Sequence, residues 1–311
     1  MRIVFLNPNP KHLMSGGVKT VYRQVECLNE LGLEAYVYQP DGRASRLKSS
    51  ANILTTERFV PSTDDILVFP ENPIGWLSEM AQMPLPATKV LFCQAQYYIF
   101  HSDIPIQRFS SLGFSKVVCP SEAAKGFLER VCHFRSVAIV PCYIDTEIFR
   151  PRDKRMQIAF LPHKMPREAQ MLHAMFSLKY PHFRHIPWLP IENLTEDETA
   201  QLLGQSAIYL SLPYLESFGL VPLEAMASGC AVVGFHGYGG MEYASSDNGL
   251  WLRPDHLEEV VDALAGAIGR ADRGDKDLLA MRDAGLATAK RYSRERTKQA
   301  LKDVYGPMFG R

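Results

Sequence analysis

Two glutamates, Glu216 and Glu224, lie eight residues apart, and between them a glycine opens a short apolar segment of helical length. Carboxylates in such a place accept hydrogen bonds from hydroxyl groups. The free N–H groups of a helix start, helped by the helix dipole, bind an anion. Phe218-Gly219-Leu220 mark that start, and Gly219 carries no side chain to keep a phosphate at a distance. Glu216 precedes the helix and Glu224 lies about one turn inside it. Both can therefore meet one ligand from different depths, one through ribose hydroxyls and the other through sugar hydroxyls. The plain alternative is a solvated glutamate at each position. Against it stands the company they keep: a strand, a glycine, a helix start, and then a second glycine-rich loop made by Gly237, Gly239 and Gly240.

The elements that must position these residues show in the hydrophobic pattern. Apolar runs of strand length fall at 3–6, 34–39, 65–70, 88–94, 116–121 and 137–141, with helices expected at about 18–31 and 122–132 and a glycine loop at Gly16-Gly17. The rhythm restarts with strands at 157–162, 207–213 and 230–235 and helices at about 167–179, 196–205, 220–228, 255–270, 275–291 and 293–305. Continuous rather than alternating apolar strands, separated by helices, predict parallel sheets covered on both faces. In such sheets, loops after the strands open at the carboxyl edge, where ligands bind. The charged, proline-containing stretch FRPRDK (149–154) is the best linker. The expected division is 1–148, 149–291 and a closing segment 292–311 that packs back toward the first part.

Composition narrows the function. Lys plus Arg and Asp plus Glu each total 34, and the balance holds locally, with 15 basic and 14 acidic residues in 1–150. A nucleic-acid partner is not expected, since its affinity would rest on clustered positive charge. Cys27, Cys93, Cys119, Cys132, Cys142 and Cys230 form no C-x-x-C pair and read as small buried apolar residues, so a reducing cytosol is expected. The N-terminal MRIVFLNPNP has too short an apolar run for a signal peptide, and no stretch reaches the ~20 apolar residues of a membrane span. The expected place is the cytoplasm, with attachment at a membrane surface compatible with the sequence. Asp275-Lys276-Asp277 has the D-x-D form of a metal motif but reads as charged helical surface, and Gly16-Gly17 lacks the G-x-G-x-x-G form of a nicotinamide site. Glu71-Asn72-Pro73 follows a strand and reads as a strand-end turn or as part of a cleft lining.

E-S-F-G-L-V-P-L-E-A-M-A-S-G (216–229) resembles the E-x7-E motif of retaining glycosyltransferases of the GT-B fold, family 4, with Ser217 where the usual motif has glycine. Four further segments resemble the same family in the right order: IVPCYIDTEIFRP (139–151), VVCPSE (117–122), the Gly-Gly segment 15–38 and the closing YSRERTKQALKDVY (292–305). The resemblance implies two Rossmann-like domains facing each other across a cleft, with a nucleotide-sugar on the C-terminal one. It implies that amides at Ser217, Phe218, Gly219 and Leu220 hold the pyrophosphate, that Glu224 binds the ribose and that Glu216 meets the transferred sugar. Gly16 and Gly17 would close a loop over the phosphates. The family's usual Arg and Lys, which balance the diphosphate charge, are not matched exactly. FLPHKMPRE (160–168) offers His163, Lys164 and Arg167, of which Lys164 and Arg167 are the candidates. A family histidine of the N-terminal domain is also unmatched, and Gln94, Gln96 and His101 are the residues near its place. The resemblance implies no metal and no cofactor beyond the nucleotide-diphosphate sugar as co-substrate, and a glycan or small-molecule acceptor. A sugar-nucleotide epimerase on the same scaffold, or a non-catalytic sugar or nucleotide binder, is the alternative reading.

Overall fold

The structure is a computed structural model and describes residues 1–56 and 59–309. It divides into two compact units, Met1–Tyr143 with Arg294–Arg311, and Ile144–Ser293.

The first unit holds β1 (Arg2–Leu6), α1 (Gly16–Glu30), β2 (Ala35–Tyr38), β3 (Ile53–Leu54), β4 (Asp65–Pro70), α2 (Trp76–Gln82), β5 (Thr88–Phe92), β6 (Phe114–Cys119), α3 (Glu122–Arg130) and β7 (Val137–Ile139). The sheet runs β3-β2-β1-β4-β5-β6-β7, and its pairings are parallel. The continuous apolar strands have a direct cause. Ile3 and Phe5 join one core with α1 residues Tyr22, Val25 and Leu28, while Val4 and Leu6 join a second with Leu77 of α2 and Leu128 of α3. Neither face of the sheet can therefore be polar.

The second unit holds β8 (Arg155–Phe160), α4 (Pro166–Lys179), β9 (Trp188–Pro190), α5 (Glu196–Gln205), β10 (Ser206–Ser211), α6 (Leu220–Ala227), β11 (Ala231–Gly234), β12 (Leu250–Trp251), α7 (Leu257–Asp272) and α8 (Lys276–Lys290). Its parallel sheet runs β12-β11-β10-β8-β9. Ile158, Ile208, Leu210 and Val233 pack under α4 and α7. The stretch 149–154 lies inside this unit. Phe149 is fully buried, the Arg152 N–H donates to the Gly204 carbonyl at 3.1 Å, and the Lys154 ammonium donates to the carbonyls of Leu203, Ser206 and Ser228 at 3.2, 2.8 and 2.6 Å.

Helix starts follow local chemistry. Ser15, Ser121 and Asp275 accept from the N–H three residues on, and Thr195 with Glu198 forms a reciprocal capping box. Helix α9 (Arg294–Tyr305) belongs to the first unit, where Leu301, Val304 and Tyr305 complete the core beside α1.

Candidate active site

In each sheet one strand is left by connections that run in opposite directions, which opens a crevice at the carboxyl edge. In the second unit the strand is β8, flanked by β9 and β10, so the crevice lies between the loops that follow β8 and β10. The loop after β8 carries His163 and Lys164, and the loop after β10 carries Glu216 and Ser217. The structure brings the two loops together: the Lys164 ammonium donates to the Glu216 carboxylate. Both side chains keep part of their surface in water, at 38% for Lys164 and 27% for Glu216. An ion pair this exposed adds only about 0–1 kcal/mol, so an incoming charged ligand can open it. Partial desolvation, then the adjacent Lys164 charge, holds the His163 imidazole below its usual value, with Glu216 and Glu192 opposing. Arg167 lies on the surface in the first turn of α4, after Pro166.

The start of α6 completes the crevice. Gly219 caps it with φ +80°, a left-handed conformation that only glycine adopts without strain. A Cβ there would stand 2.8 Å from the Tyr243 hydroxyl, which donates to the Gly219 carbonyl at 2.8 Å. Pro222 occupies the third helical position, where a missing N–H costs nothing. The N–H groups of Leu220 and Val221 remain at the helix start without partners inside the helix. The Phe218 ring is buried and meets Tyr243 and Tyr292 edge-on with centroids 6.2 and 5.2 Å away, which leaves only its backbone toward the crevice. Ser217 is likewise buried. Glu224, on α6, is 1% exposed. The carboxylates of Glu216 and Glu224 both act on the Tyr209 hydroxyl beneath them, which burial first and then these charges push well above the usual tyrosine value.

The second glycine loop supports the first. Gly239 donates its N–H to the Glu216 carbonyl at 2.6 Å, and a Cβ on Gly239 would lie 1.9 Å from the Ser217 carbonyl oxygen. The loop itself closes in a single 3-10 turn, Gly239–Glu242. Tyr243 and the packing duty of Gly239 carry no sequence signal of their own, since an isolated tyrosine and a glycine pair fit any turn.

In the first unit the crevice lies between β1 and β4. Gly16 and Gly17 are the first two residues of α1 rather than a loop before it, because the Ser15 hydroxyl caps the helix through the Val18 N–H at 3.2 Å. A Cβ on Gly17 would meet the Gln94 side-chain amide at 3.5 Å. Gln96 is fully buried, and His101 is exposed and stacks on the Tyr98 ring at 5.5 Å. Asp275 caps α8 through the Leu278 N–H at 3.0 Å, and Asp277 lies in that helix's first turn. Among the described residues no group of three His, Cys, Asp or Glu side chains could hold a metal ion. No described helix is long and apolar enough to cross a membrane.

Comparison with known proteins bears on this geometry. The chain matches the family described as Glycosyl transferases group 1 over residues 190–273, a span that takes in Glu216, Gly219, Glu224 and the second glycine loop. It is 25% identical over 305 residues to the alpha-1,6-glucosyltransferase of Actinobacillus pleuropneumoniae serotype 7 (strain AP76), covering 95% of this chain and 92% of that protein. The comparisons support a GT-B glycosyltransferase. Two solved structures share the fold over the whole chain. A glycosyltransferase from Rickettsia africae ESF-5 superposes with a TM-score of 0.73 at 15% identity, covering 99% of this chain and 98% of that one. Anabaena Alr3699/HepE, in complex with UDP-glucose, superposes with a TM-score of 0.72 at 14% identity, covering 99% and 100%. Lys164, Arg167, Gly16 and Gly17 lie outside the matched family segment.

Proposed function

We propose that the chain transfers a sugar from a nucleotide-diphosphate sugar to a hydroxyl acceptor with retention of the anomeric configuration, as a member of family 4. The observation that carries this reading is the Lys164–Glu216 pair, set beside the α6 start at the crevice of the second unit. A diphosphate seated on the Leu220 and Val221 amides would attract Lys164 away from Glu216. Charge-assisted hydrogen bonds contribute about 1.5–3 kcal/mol each, more than the exposed pair loses. Glu216 would then be released to accept a hydroxyl of the transferred sugar, and Glu224 would accept from the ribose.

In the step itself the bond between the anomeric carbon and the phosphate oxygen breaks, and the acceptor oxygen forms its bond on the same face. The acceptor's proton passes to the departing phosphate oxygen. The residues supply position and charge: amides and Lys164, with Arg167 as a second cation, on the diphosphate, and Glu216 at the sugar. No metal is called for in this reading. Anabaena HepE was solved with UDP-glucose, which makes that compound the first donor to test here.

The test is release of nucleoside diphosphate from a panel of nucleotide-sugars, UDP-glucose included, with mixed glycoside acceptors and a chelator present. Product configuration is read by NMR. An inverted product sinks retention, and turnover abolished by chelator and restored by magnesium or manganese sinks metal independence. Absence of sugar-dependent turnover with every donor sinks the reading as a whole.

A further inference from the structure

Glu71 follows β4 directly and is almost fully buried, at 5% exposure. Among the described residues its carboxylate is paired with no cation. One oxygen accepts the Ala95 N–H at 2.9 Å and the other the Gln94 N–H at 3.3 Å, both from the loop that follows β5. The two loops are stitched again farther out. The Ser102 hydroxyl and the Asp103 N–H donate to the Pro73 carbonyl at 3.0 and 3.2 Å, and the Gly75 N–H donates to the Asp103 carboxylate at 2.7 Å. A buried carboxylate is a costly way to hold a loop that already has these ties. What distinguishes the gripped segment is its side chain. The Gln94 amide sits beside Gly17, at the crevice edge of the first unit, and among the described residues it has no hydrogen-bond partner.

We propose that Glu71 is a positioning residue that acts through Gln94, holding the backbone at 94–95 so that the Gln94 amide, able both to donate and to accept, meets a substrate hydroxyl over the first turn of α1. What Gln94 touches rests on the sugar-transfer reading, whereas the grip of Glu71 on the loop does not. The two N–H groups go to different oxygens, and ionisation keeps both oxygens as full, charged acceptors, whereas protonation turns one of them into a donor. Burial first pushes the Glu71 carboxyl up to about 7, against the N–H groups that hold it down. The titratable group facing it is the buried Cys93 thiol at the end of β5, which burial and then Glu71 push upward. The grip therefore tightens as pH rises through about 7 and loosens below it.

The experiment uses the full chain with UDP-glucose, comparing Glu71→Ala and Glu71→Gln with the native protein from acid to alkaline pH. The expected result is a kcat at least tenfold lower in Glu71→Ala with UDP affinity unchanged within twofold, partial recovery in Glu71→Gln, and loss in Glu71→Gln of the fall in kcat below about pH 7. A fall in donor hydrolysis, with water as acceptor, assigns the hydroxyl to the donor sugar. Hydrolysis that is spared while transfer to added methyl glucoside falls assigns it to the acceptor. Kinetics of Glu71→Ala within twofold of native, or UDP affinity lost in parallel with kcat, overturns the proposal. Hydrogen exchange of the Gln94 and Ala95 amides is read without any ligand. Protection in the native protein above pH 7 and its loss in Glu71→Ala are expected, and equal protection in both overturns the grip. Should the native protein turn over no donor, the sugar-transfer reading fails alone, and the exchange result still decides the role of Glu71.

Discussion

At Lys164 the same atoms serve two tasks that respond differently to mutation. Its exposed pair with Glu216 contributes about 0–1 kcal/mol, so Lys164→Ala should leave the melting temperature nearly unchanged. Its proposed bond to a diphosphate is worth about 1.5–3 kcal/mol, so UDP should bind at least tenfold more weakly, as read by calorimetry. Unchanged UDP affinity would leave Lys164 as a surface partner of Glu216 and nothing more. Glu71 gives a second residue-scale expectation, with the sign set by burial. Its folded-state value of about 7 lies above the 4.5 of a free glutamate. Its stabilising contribution is therefore complete below 4.5 and is lost as pH rises through about 7, a difference of about 3 kcal/mol. Denaturant titrations should show stability falling over that range, and Glu71→Gln should flatten the fall. A slope unaltered by the substitution would mean that Glu71 titrates normally. Residue types made the second unit's crevice legible, because Gly219 and the two glutamates are unusual in one short segment. They left Tyr243 unseen, since it works through a partner distant in sequence, the Gly219 carbonyl, and they left Gln94 undistinguished from Gln96 and His101, since its place beside the start of α1 shows only in the fold.

Elements were legible where they are long and buried. Strand β4 is expected at 65–70 and lies at Asp65–Pro70, because its middle, Ile66–Phe69, is buried from both sides and is apolar throughout. Strands β3, β9 and β12 have two or three residues each, too few to make a pattern, and owe their conformation to pairing with a neighbour. Helix α2 starts at Gly75 with φ +53° and no side-chain cap, so no serine or aspartate announces it. Loops follow the same division. Thr195→Ala removes a capping box and should cost about 1 kcal/mol, a modest shift in melting temperature with UDP binding intact. Gly239→Ala should do far more damage, since its Cβ would stand 1.9 Å from the Ser217 carbonyl oxygen and backbone must move. UDP binding should be lost along with stability, and a variant that keeps native affinity would show that the two loops move independently. Tyr243→Phe leaves the ring and removes only the bond to Gly219, so it should cost about 1–3 kcal/mol and weaken UDP binding without disturbing the fold seen by circular dichroism.

Across the whole molecule the two units differ in how the chain builds them. The second is one uninterrupted segment, Ile144–Ser293, and its ends meet where the Ile144 N–H donates to the Tyr292 carbonyl at 2.9 Å. The first is assembled from both ends of the chain. Its core needs Leu301, Val304 and Tyr305, and the Tyr305 ring lies 6.3 Å from that of Phe5 on β1. Burying side chains of this size contributes about 1.5–3 kcal/mol each, so removing all three takes away much of the ~5–15 kcal/mol that keeps an ordinary domain folded. A chain stopped after Ser293 should therefore show one surviving cooperative transition, and limited proteolysis should leave a resistant fragment close to 144–293. Two transitions of native height would mean that α9 is dispensable.

That arrangement has a consequence for biosynthesis. The strands of the first unit cannot settle until α9 has been released, whereas Ile144–Ser293, translated between them, forms a unit that can mature while translation is still under way. The order of maturation is thus the reverse of the order of synthesis. Until α9 emerges, the apolar face it later covers stays open, which makes the nascent first unit the natural client for a holding chaperone.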